Sequence, residues 1–356
     1  MSGWLDADDR CPARDGYIMP AEWAPHVRTW MCWPCRTEVW GGPDGLLRAK
    51  QAYARVARAI SSFEPVIMAV RPQDLAEAKL ACAGKVEFFE TPLDDSWSRD
   101  FGPTFLIGSG SARAGVQWQF NAWGNKYRPF DKDSEFATRV LKREDLPVYR
   151  APFVCEGGAI HVDGEGTLIT TEQCLLNANR NPDQTQQQIE EGLALFTGAR
   201  RVIWLGDGFS DEETDGHIDN IACFAAPGRV LVGVPSAKSY PDYEPAMEAV
   251  RRLKQSHDAA GRGFEVIDMA QPQTPRQDWR GRPLAMSYIN FYLANGGVVM
   301  PGFDDPNDEK ARAVIADCFP GRDILQIDAL DIVQGGGGIH CITQQEPRRL
   351  GSEEAA

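Results

Sequence analysis

The feature that most limits how this chain can fold is a recurring alternation of long helical and short apolar segments. Helical candidates, with apolar residues at i, i+3, i+4 and i+7, begin near Leu47, Asp133, Pro182, Tyr243 and Pro306. Each is followed by a short strand-like run, at 66–70, 147–149, 202–205, 264–267 and 324–327. A further short helix is expected between Pro72 and Ala83. Beyond each run a polar or glycine-rich segment opens a strand, and in the first four cases a turn and a second strand follow. The predicted hairpins are 104–107 with 116–120, 159–162 with 167–170, 218–224 with 230–234, and 288–293 with 298–300. Their turns carry Gly108 to Gly110, Asp163 to Gly166, Pro227-Gly228 and Asn295 to Gly297, which is turn chemistry. The whole reads as an internal repeat of roughly sixty to seventy residues, long enough for solenoids or propellers. Repeats that close around an axis gather their equivalent positions at the centre.

The most informative of those positions is Gly335-Gly336-Gly337-Gly338-Ile339-His340-Cys341. Consecutive glycines cost backbone entropy, so they belong where the chain needs special dihedrals or a close approach to its backbone. The following Ile342-Thr343 predicts a short strand with Cys341 at its mouth. A free cysteine usually serves as a small buried hydrophobe, and Cys82, Cys174, Cys223 and Cys318, all in apolar runs, fit that role. The polar, glycine-rich setting of Cys341 suits a nucleophile instead. A nucleophilic thiol needs a neighbouring base or cation, because its free pKa is about 8.5.

Equivalent positions in the other repeats supply candidates. The first carries Asp94-Asp95-Ser96-Trp97-Ser98-Arg99-Asp100, the second Glu156-Gly157-Gly158, and the third Gly216-His217-Ile218-Asp219. The fourth, ending at Asn290, is less telling. His217 and Asp219 have period-two spacing, which on a strand puts both on one face. The bland counterparts are a satisfied histidine beside a surface carboxylate, a buried Arg99–Asp100 pair, and Glu156 as a turn carboxylate. Four charges within seven positions make a costly core, so the segment around Trp97 reads better as a pocket. Asp100 and Asp219 could each accept paired hydrogen bonds from a planar guanidinium, with Trp97 adding a cation–π face. Cys341 could then attack its central carbon while His217 moves protons. A metal site built from His217, Asp219 and Cys341 would leave Asp100 and Glu156 idle. A cysteine protease would need an oxyanion hole and would not explain the extra carboxylates.

Composition narrows the class. With 356 residues, 43% of them hydrophobic, the chain can bury a sizeable core. No window matches a membrane span, and the N-terminus, Met1 to Asp6, lacks the basic and apolar regions of a secretory signal. The nine cysteines fit a reducing compartment, so a cytoplasmic location is expected. Cys32 and Cys35 have C-x-x-C spacing but no partner pair, and are expected simply to pack. A net charge of −14 argues against nucleic-acid or anionic-membrane partners and suits a cationic substrate.

Several ordered motifs together resemble the agmatine deiminases, within the bacterial-type peptidyl-arginine deiminases of the pentein superfamily. They are Met19-Pro-Ala-Glu-Trp23 with Trp30-Met31, Asp95 to Asp100 with Gly102-Pro103, Glu156-Gly-Gly158, His161 to Leu168, Gly216 to Asn220, and 335–345. The resemblance implies an α/β fold, the pentein five-bladed propeller of ββαβ repeats around a central site, as a single catalytic domain (1–356, core about 19–347). It implies hydrolysis of agmatine to N-carbamoylputrescine and ammonia without metal or cofactor. Cys341 then resembles the nucleophile, His217 the acid and base, and Asp100 and Asp219 the guanidinium clamp. Trp97, Glu156 and Gly338 join the substrate-binding set. Related penteins are often dimers or larger. At Gly338 agmatine deiminases commonly have asparagine, and basic Lys126 and Arg128, if they faced the pocket, would favour a carboxylate-bearing substrate such as arginine. Another guanidino substrate, or a non-catalytic binding role, are the alternatives.

Overall fold

A computed structural model describes residues 10–84, 86–110, 112–210 and 213–348. The tail segments 1–9 and 349–356, including the Met1–Asp6 stretch, lie outside the described residues. Strands β1 (His26–Cys32), β2 (Val66–Val70) and β3 (Val86–Glu90) run parallel in one sheet. Then come four three-stranded sheets: β4 (Thr104–Ile107), β5 (Arg113–Gln119) and β6 (Val148–Val154); β7 (His161–Val162), β8 (Thr167–Thr171) and β9 (Arg201–Leu205); β10 (Ala222–Ala226), β11 (Arg229–Val234) and β12 (Glu265–Ala270); β13 (Tyr292–Ala294), β14 (Gly297–Gly302) and β15 (Asp323–Asp328). In each, the first two strands form an antiparallel hairpin and the third pairs parallel to the second. The last strand, β16 (Gln344–Pro347), returns to pair antiparallel with β1. The first sheet thus has the same ββαβ order, with its leading strand taken from the end of the chain and β3 added at its edge. This is the pentein arrangement of five repeats.

A parallel pair needs a crossover, and a helix provides each one. Pro43–Ile60 joins β1 to β2, and Phe136–Arg143, Gln186–Thr197, Tyr243–Gln255 and Asp308–Cys318 serve the others. All five follow the helical periodicity of the sequence. Pro43 stands in the first turn of its helix, where its missing N–H costs nothing, and Ala49, Ala52, Tyr53, Val56, Ala57 and Ile60 form the buried face. Gln186–Thr197 starts at a reciprocal capping box between Thr185 and Gln188 and stops at Gly198 in a left-handed conformation (φ 75°). The β2 strand, Val66-Ile-Met-Ala-Val70, is buried at every position, as expected for a parallel strand covered on both faces. The short helix expected after Pro72 is present at Leu75–Cys82.

The first hairpin begins at Thr104 as expected, and the structure corrects the reading at the start of the other three. Residues 159 and 218–220, expected in strands, lie in 3₁₀ turns at Gly157–Ala159 and Ile218–Asn220. Strands begin later, at His161, Ala222 and Tyr292. Ile342-Thr343 is not a strand either: Cys341 sits in a turn and β16 begins at Gln344. The cause is common to all. These residues turn the chain inward at the centre, where no neighbouring strand is available to pair with them.

All nine cysteines are free and buried, including Cys32 and Cys35, which pack as expected. Among the described residues no helix is long and apolar enough to cross a membrane.

Candidate active site

The nucleophile candidate is fixed by its own loop and by the fourth repeat. Gly336 takes a φ of +99°, and a Cβ on Gly337 would come within 2.6 Å of Trp97. Glycine is therefore required where the loop folds over Trp97, which in turn stacks on Trp40 at 5.7 Å. The chain emerging from this loop gives the His340 N–H to Asn290 Oδ1 at 2.9 Å. The same amide group donates Nδ2–H to Cys341 Sγ at 3.2 Å, and the thiol faces Asp219 Oδ2 at 3.4 Å.

The first three repeats bring the remaining groups to the same place. Asp100 lies in the helical turn Ser98–Phe101 and accepts Trp123 Nε1–H at 2.9 Å and Gly158 N–H at 3.1 Å. The two ring nitrogens of His217 are flanked by carboxylates: Nδ1 is 3.7 Å from Asp100 Oδ1 and Nε2 is 3.6 Å from Glu156 Oε2. Glu156 is held on its other oxygen by Arg180 Nε at 2.7 Å. A Cβ built on Gly158 would stand 2.6 Å from His217 Nδ1, 2.8 Å from Asp100 Oδ1 and 3.0 Å from Asp219 Oδ2. Three polar groups from two other repeats therefore converge on one point in the second. His217 and Asp219 do share this centre, but a 3₁₀ turn puts them there, and the period-two strand argument is withdrawn.

The charges expected around Trp97 separate into distinct partnerships. Asp95 meets Arg36 at 3.0 Å, Arg99 meets Glu22 at 3.1 Å, and Asp100 faces the centre. Burying paired charges avoids the penalty that isolated ones would carry.

Burial raises the Cys341 thiol well above its ordinary value, and the Asp219 and Asp100 carboxylates push it further. For His217, burial opposes the charged form, but Asp100, Cys174 and Glu156 outweigh it and hold the imidazole well above its ordinary value. Burial lifts Asp100 to about 6, with His217 working against it and Asp219 and Glu156 adding to it. Glu156 moves the other way, to about 2, because Arg180 and His217 overcome its burial. Asp219 also lies below its usual range, as His340 and then His217 overcome burial. The resting centre is a neutral thiol near a protonated imidazole.

A cleft of about 310 Å³ leads to this centre. Trp97, Asp100 and Cys341 line it, with Trp123, Tyr127, Val39, Glu213, Thr214 and Gly335 to Gly337. His217, Asp219 and Glu156 stand behind that lining. Gly338 does not line it: the residue packs on Asn290, whose Oδ1 would be 2.4 Å from an added Cβ. Lys126 and Arg128 do not line it either, since Lys126 Nζ bonds Asp215 at 2.9 Å and Arg128 bonds Asn125 at 2.9 Å. Glu213, also in the lining, is held by Tyr127, Arg280 and Arg282.

Sequence reasoning missed the layer behind the site. His340 bridges Asp219 Oδ2 at 2.9 Å and Glu22 Oε1 at 2.8 Å, while Asn290 and Arg180 orient Cys341 and Glu156. Asn290 stood at the equivalent position of the fourth repeat, and Glu22 and His340 lie within the ordered motifs without a role assigned to them, while Arg180 left no signal. Among the described residues, the one three-ligand cluster with metal-binding spacing is Glu156, Cys174 and His217, a different set from His217, Asp219 and Cys341.

Known proteins share this architecture. A Pseudomonas aeruginosa agmatine deiminase is 41% identical over 363 residues, covering 94% of this chain and 97% of its own. The solved agmatine deiminase of Enterococcus faecalis superposes with a TM-score of 0.93 at 37% identity, over 96% of this chain and 99% of its own. A C. jejuni agmatine deiminase, solved as a cysteine-to-serine variant with substrate bound, gives a TM-score of 0.86 at 27% identity, over 94% of this chain and 97% of its own. Residues 18–347 match the Porphyromonas-type peptidyl-arginine deiminases, and the chain belongs to that family.

Proposed function

We propose that this protein hydrolyses agmatine to N-carbamoylputrescine and ammonia through a covalent bond to Cys341. The observation that carries this reading is the convergence of Asp100, Asp219 and His217 around Gly158, with Cys341 Sγ at 3.4 Å from Asp219. A planar guanidinium entering past Trp97 would find a carboxylate on each side and a sulfur beneath its carbon. The names of the relatives support the substrate, and the substrate held by the C. jejuni cysteine-to-serine variant supports a cysteine as the reacting group.

The chemistry follows from the resting charges. Asp100 and Asp219 keep the thiol protonated until a cation offsets their field, so the thiolate forms when substrate arrives and its proton leaves to solvent. Sulfur then bonds to the guanidinium carbon. The imidazolium of His217 protonates one nitrogen, the C–N bond breaks, and ammonia departs, leaving an amidino-thioether. Neutral His217 next takes a proton from water, the hydroxide adds to the same carbon, the C–S bond breaks, and the hydroxyl proton passes to the departing thiolate, restoring the resting thiol and leaving the neutral ureido product. Asp100 and Asp219 hold the cation throughout.

The deciding experiment measures ureido-product formation from agmatine, arginine and a blocked arginine at equal concentration with a chelator present. Turnover of agmatine above the others is expected. Preference for either arginine compound would overturn the substrate assignment, and turnover of none would overturn the reaction.

A further inference from the structure

Behind the substrate cleft lies a cluster the proposed reaction only half uses. One ligand atom each from Glu156, Cys174 and His217 lie within 4.8 Å of one another, and all three residues are buried. Cys174 Sγ is 3.9 Å from Glu156 Oε2, and His217 Nε2 is 3.6 Å from that same oxygen. Ligands of a tetrahedral zinc ion stand roughly 3.4–3.7 Å apart, given bonds of about 2.0–2.3 Å. The two pairs that share Glu156 Oε2 are already close to that spacing, and the third lies within 4.8 Å.

A second observation points to a ligand here. Both ring nitrogens of His217 are buried and each faces a carboxylate at 3.6–3.7 Å without reaching hydrogen-bond distance, an unusual state for a side chain fully removed from solvent. Glu156 is also prepared. Its Oε1 is taken by Arg180 at 2.7 Å, which orients the carboxylate and leaves Oε2 directed at the histidine and the thiol. Sulfur, imidazole and carboxylate together form the donor set of zinc rather than of calcium or magnesium.

We propose that Glu156, Cys174 and His217 form an inhibitory site for zinc or a similar thiophilic divalent cation. Binding needs no redox partner. The Cys174 thiol and the His217 imidazolium each release a proton to solvent, the sulfur and one ring nitrogen bond the metal, and the carboxylate of Glu156 is already anionic. Two anionic ligands offset the charge of the ion, and a water reaching it from the cleft completes the tetrahedron. The metal takes the imidazole out of proton transfer without touching Cys341. Binding rests on the geometry alone; inhibition rests also on the role proposed for His217.

The test separates these. A Cys341→Ala variant is titrated with Co²⁺ and followed by thiolate-to-cobalt charge-transfer absorption, then compared with a Cys341→Ala/Cys174→Ser variant. Serine fills the space of cysteine and gives no sulfur band, and circular dichroism checks that both variants are folded. The expected result is a band that saturates near one equivalent and vanishes in the double variant. A band that persists there, or no band in the single variant, overturns the site. In parallel, agmatine turnover is measured with Zn²⁺, taking the ratio of inhibited to uninhibited rate within each protein. The Cys174→Ser variant is expected to lose zinc sensitivity by about tenfold or more relative to the unmodified chain; equal sensitivity overturns the proposal. A cobalt band as expected with zinc-insensitive turnover keeps the metal site and removes His217 from the reaction.

Discussion

His340 Nδ1 lies 2.9 Å from Asp219 Oδ2, the same oxygen that the Cys341 thiol approaches at 3.4 Å. The imidazole also bonds Glu22, which Arg99 holds at 3.1 Å and His161 approaches at 3.6 Å. Asp219 is therefore anchored from behind by a buried network spanning four separate segments of chain. Burial and Arg99 oppose a charge on His340, but Glu22 and Asp219 raise its pKa above the ordinary value, so it serves as the counter-charge for both carboxylates.

Replacing it tests that role. His340→Ala leaves two buried carboxylates without their shared cation, and a loss of about 3–5 kcal/mol in unfolding free energy is expected. His340→Gln can still donate to Asp219 and should recover part of the stability and of the agmatine KM. Denaturant titration and steady-state kinetics read both; unchanged values for the alanine variant would remove His340 from the positioning layer.

Gly158→Ala isolates the convergence point. The backbone of Gly158 does not need a positive φ, so the substitution is tolerated by the chain itself. Its methyl would push into His217 Nδ1, Asp100 Oδ1 and Asp219 Oδ2 together. Activity should fall by about a hundredfold while melting changes little, since misplacement near 1 Å costs that much. A variant with full activity would show that these groups do not act at this point.

The pH dependence follows from Asp100 and His217. Asp100 titrates near 6, so in the free protein the carboxyl loses its charge as pH falls through that value and grips a cation less well. The acid limb of kcat/KM is expected near pH 6, and that of kcat lower, because a bound guanidinium favours the carboxylate. The alkaline limb lies above the ordinary histidine range, where His217 loses the proton it must donate. A pH-rate profile for agmatine that stays flat through pH 6 would contradict the assignment to Asp100.

Cys341→Ser should abolish ureido-product formation and still bind agmatine, as measured by calorimetry. In the unmodified protein, alkylation of Cys341 by a neutral reagent should rise only at pH above the ordinary thiol range, since burial and two carboxylates keep the sulfur protonated. Rapid alkylation at neutral pH would mean that the thiolate exists before substrate arrives.

How much of this was readable beforehand divides by distance along the chain. Helix periodicity over Pro43–Ile60 and Tyr243–Gln255, and the glycine turns between strands, are local signals, and the repeat they define was sufficient to place Cys341, Asp100, His217 and Asp219 at one centre. Residues such as Asn290 and Arg180 carry no local mark of their purpose. They matter only because folding sets them against Cys341 and Glu156, and nothing near them in sequence tells of that contact. Ala159 and Ile218 to Asn220 were read as strand openings for a related reason: they run straight into the apolar strand residues that follow them, and the 3₁₀ turns that hold them leave no mark in the sequence.

The pairing of β16 with β1 also sets an order of events. Cys341 stands just ahead of β16, so the reactive sulfur is carried by the segment that completes the fold. While the chain is being synthesised, every carboxylate of the centre and His217 leave the ribosome before the nucleophile does. A nascent chain can bring acid, base and clamp together, but the sulfur that would bond substrate joins them only as β16 pairs with β1.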